Sequence, residues 1–376
     1  MSSPASDAGC DRRLRVAAIS FDFPDFWIPL ANALAARADV LALFPEDQLA
    51  SRRHQLDPRL HARPFKMPRL RQPLRQLRMC RRLAGQIRAF DAQVVHVQQG
   101  HLWFNLMLPL LRRRRAIVVT VHDPTPHVGD IPSRLTPQAL ANIAFRSADR
   151  VIVHSEAAKE GVRPLLKPGT AVDVVPLVVE VDDLREPPTD EMPGPVVLFF
   201  GRIWPYKGLE YLVRAEPRIA SSVPDVRIVI AGEGEDLERY RRLMCHPERF
   251  EIRNEFVPED EVTALFRSAA VVIAPYIDAT QSGVIPLAYA VGRPVVATCV
   301  GGLPEMIDDG VTGFLVPPRD ETALADAVVR LLCDPKLWRE MSTAARRRVE
   351  KQSSPDAAAE QTLVSYESVL AQRGRT

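Results

Sequence analysis

The chain is short of glycine: 18 of its 376 residues, about 5% against the roughly 7% of average usage. Loops that cradle phosphates usually need glycine, so the placement of these few matters. Cysteine is scarce too. Cys10, Cys80, Cys245, Cys299 and Cys333 are odd in number, scattered, and form no C-x-x-C pair. That argues against a disulfide framework or a structural zinc site and predicts reduced thiols in a cytoplasmic protein. No H-E-x-x-H or clustered His/Cys set occurs, so no protein-held metal and no cofactor of that kind is expected. No apolar run reaches the roughly 18 residues of a membrane span. Met1 to Arg15 contains no apolar core of a signal peptide. A net charge of only +2 and 46% hydrophobic residues exclude a disordered chain.

What is present is uneven. Residues 1–190 carry 27 Lys and Arg against 20 Asp and Glu, and the remainder carries 22 against 27. The halves therefore differ in sign, which is a clue to partners. Much of the basic excess lies in Arg63, Lys66, Arg69, Arg71, Arg75, Arg78, Arg81 and Arg82, with Leu70, Leu74, Leu77 and Met79 interleaved at near-helical spacing. A second cluster is Arg112 to Arg115. The stretch 63–82 reads as a solvated helix face or as a peripheral contact with an anionic membrane. No recognition motif accompanies it, so nucleic acid is not an expected partner.

Short apolar runs alternate with helical patterns along the whole chain. Leu14–Ile19, Val40–Phe44, Val94–Val97, Ile117–Val121, Val151–Val153 and Val172–Val175 are strand candidates. The pattern restarts with Val196–Phe200, Val226–Ile230, Val271–Ala274, Val295–Ala297 and Phe314–Val316. Alternation of this kind predicts α/β domains with buried parallel sheets. A proline-rich, polar stretch, Asp182–Pro195, reads as a linker. Two doubly wound Rossmann-like domains are expected, 1–190 and 191–376, facing a central cleft. The final helices, about 335–376, can pack back on the first domain. Such sheets bind ligands beyond the carboxyl ends of their strands.

The second half carries the chemistry. Gly201-Arg202-Ile203-Trp204-Pro205-Tyr206-Lys207-Gly208 follows a strand directly. Gly201 allows a sharp turn, and Arg202 and Lys207 bring two cations to the strand end. A diphosphate suits them, because charge-assisted hydrogen bonds are the strong ones. Gly232-Glu233-Gly234 is a weak signal alone. Leu237 fills the third position of a dinucleotide fingerprint, which counts against a nicotinamide dehydrogenase. Asp278-Ala279-Thr280-Gln281-Ser282-Gly283-Val284 precedes a helix, with Ser282 as expected N-cap. The amides of Gly283 and Val284 are then expected to be free for an anion. Gly301-Gly302 permits close approach of a neighbour or a ligand.

The order GR-x4-KG, GEG, SGVIPLAYAVGRPVVAT and GGLPEMIDDGVTGFLV resembles the family-four retaining glycosyltransferases of GT-B fold, the glycosyl transferases group 1. The resemblance covers residues 195–332 closely. It extends loosely through His122-Asp123 and the segment Ala148–Ser155. It implies a metal-independent transferase that moves a sugar from a nucleotide diphosphate sugar to an acceptor hydroxyl on a glycan, a lipid-linked or a small molecule. It implies that Arg202 and Lys207 hold the diphosphate, that Glu255-Phe256-Val257 faces the base, and that Gln281–Val284 touches sugar and phosphates. Gly201, Gly232, Glu233, Gly234 and Thr280 join this donor set. Members usually carry two glutamates at the positions of Ala279 and Leu287, and both are apolar here. Asp278, Thr280, Gln281 and Ser282 are the local candidates to take their place. A donor-binding protein with weak turnover, a phosphorylase and a sugar-nucleotide epimerase are the alternatives.

The first domain is expected to hold the acceptor. Asp22 and Trp27 follow the first strand, and Gln99 and His101 follow the strand near 94–97. Their carboxylate, amide and aromatic groups suit sugar hydroxyls and ring faces, and an ordinary structural loop fits as well. His122 is expected to face the cleft with Asp123 orienting it by hydrogen bond, and both are placed among the catalytic residues with Arg202 and Lys207.

Overall fold

The structure, a computed structural model, describes residues 13–374 apart from 23, 51, 99, 126–137 and 179–190. The expected site residue Gln99, the thiol Cys10, and most of the linker with the boundary at 190 lie outside the described residues.

Two parallel sheets are present. The first has seven strands: β1 (Arg15–Ser20), β2 (Asp39–Pro45), β3 (His61–Phe65), β4 (Val94–Gln98), β5 (Ala116–Thr120), β6 (Arg150–Val153) and β7 (Ala171–Val174). Their order is β3-β2-β1-β4-β5-β6-β7. The second has six: β8 (Val196–Phe200), β9 (Arg227–Ala231), β10 (Phe250–Arg253), β11 (Val271–Ala274), β12 (Val295–Thr298) and β13 (Gly313–Val316), in the order β10-β9-β8-β11-β12-β13. Every pair is parallel. The fold is therefore the double α/β architecture that the motifs imply.

The central strands are continuous apolar runs because helices cover both faces. One face of the first sheet packs Ile19, Leu83, Val95 and Val119, and the other packs Val16, Trp27, Val40 and Val118. The second sheet is sandwiched likewise, with Phe199, Ile228 and Val328 on one side and Leu198, Val272 and Ala288 on the other. β3 and β10 have no counterpart among the expected strands. Both are outermost in their sheets, where mixed composition and proline are tolerated. Pro64 sits inside β3, and β10 reads Phe-Glu-Ile-Arg.

The last two helices part company. Helix Pro335–Gln352 stays with the second domain, where Met341 and Ala345 enter its two cores. Helix Pro355–Arg373 crosses to the first domain and packs on helix Pro24–Ala35. Its Tyr366 hydroxyl meets His96 Nδ1 at 2.6 Å deep in that domain. The four described cysteines are free thiols, with Cys80 buried.

Candidate functional site

In each sheet the strand order reverses between two neighbours, β1 with β4 and β8 with β11. The loops beyond those carboxyl ends diverge and leave a crevice. The residues below converge there.

From the second domain come the loops 201–208 and 275–283. The amide of Ile277 donates to the Tyr206 carbonyl at 2.8 Å, which ties the two together. The Gly232-Glu233-Gly234 loop packs on the first of them. Ile203 N donates to the Glu233 carbonyl and Glu235 N to the Ile203 carbonyl, both at 3.0 Å. Gly232 has φ +141°, and a Cβ there would lie 2.1 Å from the Gly201 carbonyl oxygen. Gly232 thus serves loop-on-loop packing, and Glu233 is left exposed.

Lys207 is half-buried. Its ammonium lies 3.8 Å from the ring centroid of Tyr276 and 5.2 Å from that of Tyr206. Burial lowers its pKa, and Arg202 lowers it further, so the two cations share one neighbourhood. No described carboxylate makes an ion pair with Lys207, although Asp123 of the first domain acts on it electrostatically. A desolvated cation held on aromatic faces is a receptor for an anion. Tyr276 itself is buried, and loss of solvent pushes its hydroxyl up to about 12. It therefore stays neutral, and it shares a hydrogen bond with Ser282 Oγ at 3.2 Å.

Ser282 does not take the expected N-cap position. Gly283 does, ahead of helix Val284–Ala290. The Ser282 hydroxyl instead accepts from the Val284 amide at 3.3 Å. That amide is therefore not free for a ligand. Val284 is buried in the core, and Gly283 lies against Phe26 of the first domain.

From the first domain comes His122, at the end of β5. It is buried, and burial together with His154 pushes its imidazole down to about 3. The neutral ring donates from Nε2 to Gln98 Oε1 at 3.1 Å and accepts at Nδ1 from Gln281 Nε2 at 3.2 Å. Gln98 and Gln281 hydrogen-bond the ring on its two sides. Asp123, the next residue, accepts from the Thr280 hydroxyl. The His154 ring lies tilted against that of His122, with centroids 4.8 Å apart. Its Nδ1–H donates to the Val175 carbonyl at 2.8 Å.

These contacts close the crevice from both sides. Ser155 Oγ donates to the Thr280 carbonyl at 2.8 Å. The Glu305 carboxylate accepts from the amides of Glu156 at 2.6 Å and Ala157 at 2.9 Å, capping a helix of the other domain. Gly301 and Gly302 approach a neighbouring loop: a Cβ on Gly301 would sit 1.5 Å from the Ala279 carbonyl oxygen.

Other expected residues fall elsewhere. Trp27 is fully buried, edge-on to His96 at 5.0 Å, so its ring offers no face to a ligand. Its helix turns that side into the core. His101 is half-buried and stacks on Phe21 at 4.8 Å. Asp22 is exposed beside them. Arg202, Glu255 and Phe256 are exposed, Phe256 by 70%, whereas the Val257 side chain is in the core. Ala279 is buried and Leu287 packs on the second domain's core, so neither apolar position holds a polar substitute. Gln98, Ser155 and Glu305 were not singled out for the site by sequence.

Residues 27–183 match the family described as Glycosyltransferase Family 4, and residues 194–334 match Glycosyl transferases group 1. A D-inositol 3-phosphate glycosyltransferase of Mycobacterium tuberculosis is 32% identical over 307 residues, 72% of this chain and 62% of that protein. An uncharacterized glycosyltransferase of Methanocaldococcus jannaschii is 34% identical over 186 residues, 48% of this chain and 46% of that one. The matches thus span between about half and three-fifths of these relatives. Among solved structures, Anabaena HepE with UDP and glucose superposes with TM-score 0.73 at 18% identity, covering 94% of this chain and all of that one. A sucrose-phosphate synthase from Thermosynechococcus elongatus gives 0.68 at 20% identity, covering 96% of this chain and 100% of that one.

Proposed function

The chain belongs to the glycosyltransferases, family 4 in its first domain and group 1 in its second, and from that premise we propose that it moves a sugar from a nucleoside diphosphate sugar to an acceptor hydroxyl with retention at the anomeric carbon. The observation that carries this reading is Lys207. It is a desolvated cation beside Arg202, at the mouth of a crevice whose opposite wall is His122 and Asp123. The bond broken is that between the anomeric carbon and the diphosphate oxygen. Negative charge develops on the leaving diphosphate, and Arg202 and Lys207 stabilise it. The leaving phosphate takes the acceptor's proton, so no dedicated protein base and no bound metal are required. His122 is neutral and offers a hydrogen bond to a sugar hydroxyl when Gln281 is displaced from it.

Relatives of this fold solved with UDP and with UDP-glucose make uridine donors the first to try. The test is a thermal-shift screen over nucleoside diphosphates and their sugars, followed by product analysis. At 100 times Kd the expected stabilisation is about 2.7 kcal/mol. No shift with any of them overturns the reading. A second reading, donor binding with little turnover, is favoured by the apolar Ala279 and Leu287. It predicts the same shift without any glycoside product.

A further inference from the structure

We propose that the face formed by residues 66–72 and the outer side of helix Pro73–Ala89 docks on the surface of an anionic lipid bilayer. Residues 58–90 contain ten Lys and Arg and no Asp or Glu. The helix is divided lengthwise. Met79, Cys80, Leu83, Ala84 and Ile87 face the core. The outer side carries Leu74, Leu77, Arg78 and Arg81 at positions i, i+3, i+4 and i+7, a single stripe. Leu74 is 72% exposed, and Leu70 and Leu77 about half. No described carboxylate pairs with Arg69, Arg71, Arg75, Arg78, Arg81 or Arg82.

The patch continues onto the next element. Helix Leu102–Asn105 packs beside this helix, and the Trp103 indole donates to the Leu70 carbonyl at 3.3 Å. Leu106 and Leu110 are exposed there, ahead of Arg112 to Arg115. The result is a surface of exposed leucines among arginines, of which Arg112 is tied to Asp149 while those of residues 69–82 meet no described carboxylate. A merely solvated helix gains nothing from exposed leucines, and a polyanion such as nucleic acid has nothing to do with them. An anionic bilayer uses both: leucines enter the acyl boundary while arginines reach headgroup phosphates. No described helix is long and apolar enough to cross a membrane, so the contact is peripheral. The loop 66–72 leaves the carboxyl end of β3, the end of the sheet that faces the crevice.

The test is sedimentation of the whole protein with vesicles of phosphatidylcholine alone or in equal parts with phosphatidylglycerol. Pelleting is expected with the anionic vesicles only. The combined variant R71Q/R75Q/R78Q should weaken it about 100-fold, given the attraction of each cation near such a surface. The combined variant L70S/L74S/L77S should weaken it at least tenfold while the protein stays folded with a Tm lowered by only a few degrees, because these side chains are at least about half exposed. Absence of pelleting by the wild-type protein overturns the proposal. So does wild-type pelleting by the leucine variant, which makes the face a general polyanion site for nucleic acid or acidic protein. UDP-induced thermal shift, measured on the same samples, reports the crevice separately: vesicle binding without it leaves this surface standing and removes the transferase reading.

Discussion

The Ser155 hydroxyl joins the two domains: it donates to the Thr280 carbonyl at 2.8 Å and accepts from the Ala158 amide at 3.0 Å. One oxygen thus caps a helix of the first domain and holds the candidate donor loop of the second. The Glu305 carboxylate reaches back to the same helix end, at the amides of Glu156 and Ala157. Loop position in the second domain is therefore coupled to the first domain at this helix N-terminus, in addition to the Thr280–Asp123 and Gln281–His122 contacts.

Ser155→Ala should cost about 1 kcal/mol through the lost cap, a fall in Tm of a few degrees. The double change Ser155→Ala/Glu305→Ala should also release the domains. Small-angle scattering then gives a larger radius of gyration than the wild type. An unchanged radius shows that the two residues do not hold the crevice closed.

Gly301→Ala tests the loop from the other side. Its φ is +49°, and an added methyl would meet the Ala279 carbonyl at 1.5 Å. Backbone cannot yield that far without displacing residues 279–283. The expected outcome is a folded protein whose UDP-induced thermal shift requires at least tenfold more UDP. Wild-type UDP affinity separates the position of this loop from donor binding.

Much of this was readable in the chain. The central strands are pure apolar runs because both faces are covered, and such runs stand out. Edge strands β3 and β10 do not, since Pro64, Arg63 and Arg253 are allowed where one ladder is open. Trp27 looked available because periodicity alone does not say which helix face turns inward. The roles of Gln98 and Ser155 in the site are not legible for a different reason. Their roles are set by partners 24 and 125 residues away, and no local pattern encodes such a distance.

The buried imidazoles predict acid sensitivity. Burial pushes His96 and His122 down to about 3 and His154 down to about 4. In the unfolded chain each titrates near 6.5. Between those values the unfolded state binds more protons, so stability rises with pH and is lost as pH falls from about 6.5. Lowering pH from 6.5 to 5.5 should remove about 3 kcal/mol from the three together. Urea midpoints at the two pH values read this directly. A flat midpoint would mean the three rings reach solvent in the native state.

Lys207 separates function from stability. Its ammonium is desolvated, its pKa is lowered by burial and then by Arg202, and its near neighbours are the rings of Tyr276 and Tyr206. A desolvated cation without an ion-pair partner costs the folded state free energy that the rings and the more distant Asp123 offset only in part, so its retention needs another reason. Lys207→Met keeps the aliphatic stem over Tyr276 and removes only the charge. Without ligand, its Tm should equal or exceed that of the wild type. With UDP, the thermal shift should collapse, and kcat/KM for any donor should fall at least tenfold, about 1.4 kcal/mol of transition-state stabilisation. The two effects have opposite signs, which a residue placed for packing alone does not produce. A Tm loss together with an intact UDP shift would make Lys207 a structural residue and move the anion site elsewhere in the crevice.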